Sequence, residues 1–295
     1  GVASAFKNVG AGKGKVDDAG ATFTLMPGGK VELRVSAVDY GQGIRTTMAQ
    51  ITREIVPLGD HSLEVISGDT ALTHRHAGAV AERQTLINGR AVQEAAKLFR
   101  NELLAAASSI LEIPVEELAL TIGAVSGPAP GDGLTLAELE QELSRRDERV
   151  RSSYVFIGPR TFALADVEGR KSVPPEEYRN FPAYAYTTQA CALEVNPKTG
   201  KVRVLRVFAA HDVGRAINPQ KIEGQIEGSC LMAQGYALNE DFQTEQGWPK
   251  TRTFHDLKVP TILEAPAVCT LIVEKPDPVG PFGAKGISEV ATVPL

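Results

Sequence analysis

Residues 21–37 alternate apolar and polar positions. Phe23 and Leu25 on one side, and Val31, Leu33 and Val35 on the other, flank Pro27-Gly28-Gly29. A period of two marks strands, and the Pro-Gly-Gly break makes them a hairpin. The pattern returns in Ala190–Val195, the turn residues Asn196–Gly200 and Lys201–Val207, with Gly29-Lys30-Val31 matching Gly200-Lys201-Val202. Each hairpin is followed by a Gly-Gln pair and then by helical spacing. Gly41-Gln42-Gly43 precedes Met48, Ile51 and Ile55, and Gly224-Gln225 precedes Ile226, Cys230, Ala233 and Ala237. These units read as a degenerate internal duplication of strand, turn, strand, loop and helix, with the extra residues of the second copy in the loop 212–223.

Between the copies, the spacing predicts a helix over Leu86–Leu111, another over Leu134–Val150 with Thr135 and Glu138 at capping-box distance, and a strand near Tyr154–Ile157. The Gly/Pro-rich stretch Ser126–Gly133 reads as a linker, and the prolines of 173–182 as a second break. The fold class expected is α+β, with two related sheet-plus-helix subdomains: 1–125, a helical connection over 126–182, and 183–295.

Composition narrows the function. A chain of 295 residues with 43% hydrophobic and 23% charged positions is long enough for two cores, and is neither disordered nor fibrous. The net charge of −5, without a basic run, lacks the footprint of a nucleic-acid binder, which leaves a small molecule or a protein as partner. Three scattered cysteines without a CxxC argue against a disulfide framework, a zinc ribbon or an iron–sulfur site and suit a reducing compartment. The longest mostly apolar stretch, Leu103–Leu111, is too short to cross a bilayer, so a cytoplasmic location is expected.

Several chemistries fail by inspection. Gly10, Gly12 and Gly14 resemble a phosphate loop, but GxGxxG needs glycine where Lys15 or Asp17 stands, and neither a Walker A spacing nor a GxSxG elbow occurs. His74 and His76, near Asp69 and Glu82, could begin a metal site yet lack a third ligand at a standard spacing. His211 and Asp212 could pair as acid and base, although an Asp before a turn commonly caps backbone amides. More suggestive are the Gly-Gln segments, where glycine permits close approach and glutamine offers both a donor and an acceptor. The stretch Gly280–Glu289 adds three further glycines, Lys285 and a carboxylate.

Taken in order, Gly1–Gly10, Gly41-Gln42-Gly43, Arg83-Gln84-Thr85 before Asn88–Val92, His211–Pro219, Gly224–Gly228, Gln234–Leu238 and Gly283–Glu289 resemble the molybdenum hydroxylases. This is the xanthine dehydrogenase/aldehyde oxidase family, in its molybdopterin-binding subunit, and the resemblance runs nearly end to end. It implies a molybdenum–molybdopterin cofactor, with the cytosine dinucleotide as one form, so that no protein metal ligand is needed. It also implies that Gly41, Gln42, Gly43 and Gln225 contact the pterin, that Ala79, Val80 and Ala81 lie near the metal, and that Lys285 and Gly286 belong to the cofactor loop. Glu289 matches the family's catalytic glutamate, a base for hydroxylating an N-heterocycle or aldehyde with water, and partial burial of its carboxyl is expected. Lys285 is expected to face away from it or to bond a backbone or pterin group.

Iron–sulfur (2Fe-2S) and FAD partners would carry the electrons, and an N-terminal molybdenum domain or subunit would complete the site, so the chain alone is expected to be inactive. Val80 and Glu82 stand where the family often has serines, Ser288 where glycine is common, and Val290-Ala291 where prolines are common. Two rival readings are a non-catalytic domain of the same fold serving as an assembly surface, and a hydrolase with a metal on His74 and His76.

Overall fold

The computed structural model describes residues 1–293; Pro294 and Leu295, the last two positions of the expected second subdomain, lie outside the described residues. The first strand, β1, is Val2–Val9. The first hairpin forms as its alternation dictates: β2 (Asp18–Met26) pairs antiparallel with β3 (Lys30–Val35), turning over Pro27–Gly29. Gly29 is obligatory there, because its φ is +75° and a Cβ would sit 2.5 Å from the Ala137 amide nitrogen. Helix α1 (Ile44–Ile55) then returns the chain to β4 (Leu63–Ser67), parallel to β3. A π-helical turn at Gln84–Asn88 leads into α2 (Gly89–Leu111).

Short strands β5 (Ala119–Thr121), β6 (Ala124–Ser126) and β7 (Gly133–Thr135) make a small antiparallel sheet. The 126–133 stretch read as a linker is therefore the β6–β7 connection, since turn residues punctuate hairpins and linkers alike. Helix α3 (Leu136–Arg145) starts at the expected Thr135/Glu138 capping box. It stops five residues short of Val150, and the chain leaves it through Asp147 at φ +58°. Strand β8 (Arg151–Ile157) closes the edge beside β2, and a short helix, α4 (Val167–Lys171), follows. Residues 126–182 thus pack within the unit formed by 10–182 and 278–284. Its core centres on Phe23 stacked on Phe99 at 5.4 Å, with Leu33, Met48, Ile51 and Leu103 fully buried.

The other unit holds 1–9, 183–277 and 285 onward. Strand β9 (Ala183–Val195) pairs antiparallel with both β1 and β10 (Val202–Asp212). Helix α5 (Pro219–Gln234), the miniature hairpin β11 (Thr244–Glu245) and β12 (Trp248–Pro249), and α6 (Phe254–Leu257) precede β13 (Ala267–Val273), which lies parallel to β10. Its core is small: Val207, Ala209, Ile226 and Cys230. The connection to β13 leaves Trp248, Phe254, Ile262 and Leu263 exposed.

The duplication is visible in topology. One sheet runs β4-β3-β2-β8, the other β13-β10-β9-β1. Each contains a hairpin, a helical crossover to a strand parallel with its second arm, and an antiparallel edge strand beside its first. A parallel neighbour needs a crossover connection, which α1 and α5 supply. The α+β class and the pseudo-repeat hold.

Candidate cofactor site

The loop after β3 is organised by Asp39. Its carboxylate accepts from the Gly41 amide at 3.0 Å, the Gly43 amide at 3.3 Å and the Arg45 amide at 3.1 Å. Partial burial acts to raise its pKa, but these three bonds outweigh it and hold the carboxyl below the usual 3.8. Gly41 and Gly43 have φ of +115° and +79°, and a Cβ on Gly41 would meet nothing within 4 Å, so backbone lies open to an approaching group. Gln42 turns inward: its Oε1 accepts from the Tyr40 amide and its Nε2 donates to the Val38 carbonyl, both at 2.9 Å. Buried Gln84, in the π-helical turn, grips Val38 again, accepting from its amide at 2.6 Å and donating to its carbonyl at 2.9 Å. One N–H and one lone pair of Gln42 remain beyond these bonds.

Loop 74–83 hangs on Arg83, whose side chain is fully buried. Its guanidinium ion-pairs with Asp17 at 2.5 Å and donates to the Gly78 carbonyl at 3.1 Å and to the Asp18 carbonyl. His76 Nδ1 receives the Gly78 amide at 2.8 Å and lies 3.0 Å from the guanidinium. Burial, and then the Arg83 charge, lower the His76 pKa below 6.5. His74 faces Asp18 at 3.2 Å. Thus the two imidazoles are engaged separately, and among the described residues no group of three His, Cys, Asp or Glu side chains is placed to hold a metal. Ala81 and Glu82 have φ of +50° and +56°, uncommon for non-glycine residues, and the Gly10 amide bonds the Ala81 carbonyl at 2.8 Å. Strained backbone of this kind clusters at ligand clamps. Ala79 and Ala81 are half-buried and Val80 is exposed.

In the glycine-rich segment, Lys285 is buried, donating to Asp212 Oδ2 at 2.6 Å and to the Tyr184 carbonyl at 3.1 Å. The backbone bond expected of Lys285 is present, and its ammonium also sits in a buried ion pair with Asp212. Asp212 also caps the Gly214 amide at 3.1 Å, so it is structural rather than half of an acid/base pair. His211 is fully buried, with Nε2 3.2 Å from Thr187 Oγ1, and desolvation lowers its pKa to about 4. Gly286 is buried. Glu289 opens a 3-10 turn, Glu289–Thr292, and its carboxylate is 53% exposed and 3.1 Å from Lys7 Nζ. The carboxylate is thus about half covered and ion-paired at the surface of this unit, while Val290 and Ala291 after it are fully buried.

Gln225 differs too. Asn218 caps α5 through the Lys221 amide at 3.0 Å and Pro219 starts it, so Gly224-Gln225 lies inside the helix and not in a loop before it. A Cβ at Gly224 or Gly228 would meet nothing within 4 Å, which leaves that helix face open beside Gln225. A crevice of ≈ 580 Å³ near Lys201, Gln234 and Glu264 includes none of the expected site residues. Sequence reasoning missed Asp39, Lys7 and Gln189. An Asp two residues before a glycine was the available signal for Asp39, while the other two carried none.

Residues 1–266 match the model of the molybdopterin cofactor-binding domain. The chain belongs to this family. It is 30% identical, over 90% of its length, to the 6-hydroxypseudooxynicotine dehydrogenase complex subunit gamma of Paenarthrobacter nicotinovorans, and covers 32% of that protein. It is 27% identical, over 95% of its length, to the carbon monoxide dehydrogenase large chain of Hydrogenophaga pseudoflava, covering 34% of it. The fold superposes on quinoline 2-oxidoreductase from Pseudomonas putida 86 with a TM-score of 0.80 at 25% identity, over 99% of this chain and 37% of that one. This molybdopterin-binding domain of the molybdenum hydroxylase family therefore spans about a third of the length of those relatives. Within the unit of 10–182, the open glycine backbone at 41 and 43 and the strained 78–82 loop offer backbone groups suited to a polar cofactor; within the other unit, the open face of α5 offers the Gln225 amide. Among the described residues, no helix is long and apolar enough to cross a membrane.

Proposed function

We propose that the complete protein is a molybdenum hydroxylase that adds water-derived oxygen to an N-heterocycle or an aldehyde, with Glu289 as its general base. The carrying observation is the Glu289 carboxylate, half-exposed at the head of a turn whose next two residues are fully buried, so the base is accessible while its backbone is fixed. When bound, the molybdenum–molybdopterin group supplies the two-electron redox chemistry. The protein's part is to bind and orient it through the backbone at Gly41 and Gly43, the Gln42 and Gln225 amides and the loop around Ala79–Ala81, with Gly286 giving close approach, and to take a proton at the Glu289 carboxylate.

The cytosine dinucleotide form of the pterin, an N-terminal molybdenum domain or subunit, and iron–sulfur and FAD partners belong to the same proposal. Relatives described as a complex subunit and as a large chain support such an assembly, and this chain alone is then inactive. In the complete subunit, Glu289→Gln lowers kcat by at least about 10²-fold, with molybdenum content unchanged. A loaded variant with near-normal kcat would rule out the base assignment. The exposed Trp248, Phe254, Ile262 and Leu263 favour a second reading, an assembly surface without catalysis, which absence of molybdenum from the purified complete subunit would support.

A further inference from the structure

Polar side chains from β1, β9 and α5 reach the turn that bears Glu289. Lys7 of β1 reaches the Glu289 carboxylate at 3.1 Å. Gln189 of β9 donates from Nε2 to the Ala291 carbonyl at 2.7 Å. Ser229 of α5 donates to the Ser288 carbonyl at 3.2 Å. One bond lies just before Glu289, one on its side chain and one two residues after it. Backbone position and carboxylate direction are thereby set by different groups.

Gln189 is 2% exposed, and its Oε1 has no hydrogen-bond partner among the described residues. An unpaired buried carbonyl costs stability, so a residue serving only to fill this space would be better apolar. The same amide nitrogen lies 3.4 Å from His211 Nε2, too long and too weak to be the reason for a glutamine here. What the glutamine supplies that an apolar side chain cannot is the short bond to Ala291.

We propose that Lys7, Gln189 and Ser229 are positioning residues for Glu289, a three-point clamp that presents its carboxylate in one orientation. Lys7 engages Oε2 and fixes the direction of the carboxylate, while Gln189 and Ser229 stop the turn from rotating about its ends. This rests on the assignment of Glu289 as the base, since a clamp on a non-reacting carboxylate would have no kinetic effect.

The test uses the complete molybdenum-binding subunit carrying Gln189→Met, Lys7→Met or Lys7→Arg. Amide hydrogen exchange over 288–292 is read beside kcat, KM and molybdenum content. The clamp requires that Gln189→Met speed exchange over 288–292 but not over β10, and that both methionine variants lower kcat about 10-fold or more, on the scale of a small misplacement of a reacting group. KM and molybdenum should stay unchanged, and Lys7→Arg should restore most of kcat. Exchange over 288–292 that is unaltered in Gln189→Met, or kcat falling only in step with molybdenum content, would overturn it. If Gln189→Met does not fold, the Lys7 pair decides: equal kcat in Lys7→Met and wild type overturns the clamp. Failure of the base assignment is recognised separately, by an active Glu289→Gln enzyme.

Discussion

Lys285→Met separates a structural lysine from a cofactor ligand. The side chains of Lys285 and Asp212 are 5% and 8% exposed and meet at 2.6 Å, with a second bond from Nζ to the Tyr184 carbonyl at 3.1 Å. Each bond to a charged group is worth about 1.5–3 kcal/mol, so losing both costs roughly 3–6 kcal/mol, which brackets the 3–5 kcal/mol typical of breaking a buried pair. The loss falls mainly on Asp212, which among the described residues keeps the Gly214 amide alone and becomes a nearly buried, uncompensated carboxylate. Removing both charges should therefore recover most of the stability: Lys285→Met with Asp212→Asn keeps an acceptor for Gly214 and buries no ion. Urea unfolding of the wild type, both single variants and the double variant gives the coupling energy, and hydrogen exchange over 183–195 reports the unit concerned. We expect coupling of at least about 2 kcal/mol, near the top of the range for contacting pairs. A double variant as unstable as the sum of the singles, or a Lys285→Met protein of normal stability that has lost molybdenum, would refute this and return Lys285 to the cofactor.

Other outcomes follow from the same geometry. His211, whose pKa is lowered by burial from 6.5 to about 4, is held neutral in the fold, so acid favours the unfolded chain. Its contribution is intact above pH 6.5 and is lost as pH falls from there through about 4, a change of about 3 kcal/mol, and His211→Phe should flatten that part of the stability-versus-pH curve. Gly29→Ala places a Cβ 2.5 Å from the Ala137 amide nitrogen at φ +75°, and unfolding should show a loss of at least about 1 kcal/mol, well beyond a surface substitution. Asp39→Ala removes the acceptors of the Gly41, Gly43 and Arg45 amides, so hydrogen exchange should accelerate at those positions while the rest of α1 keeps its protection.

The hairpins, the Thr135/Glu138 helix start and the duplication were legible in the sequence because each rests on local chemistry: the two-residue alternation of strands, the geometry of a capping box, the φ demands of glycine at a turn. Family membership was legible from ordered short motifs, and the match over residues 1–266 bears it out. Sequence could place Glu289 but not its surroundings, since Lys7, Gln189 and Ser229 reach its turn from 282, 102 and 59 positions away only after β1, β9 and α5 have packed. Apolar spacing from Ile226 onward puts Gly224-Gln225 ahead of the helix, whereas Asn218 and Pro219 start it earlier. Lys285 and Asp212 carry opposite charges 73 positions apart, and nothing local announces their pairing. Backbone form follows from near neighbours in the chain. Which charges are desolvated together depends on strand register and on what a second element covers, and that was decided only by the tertiary fold.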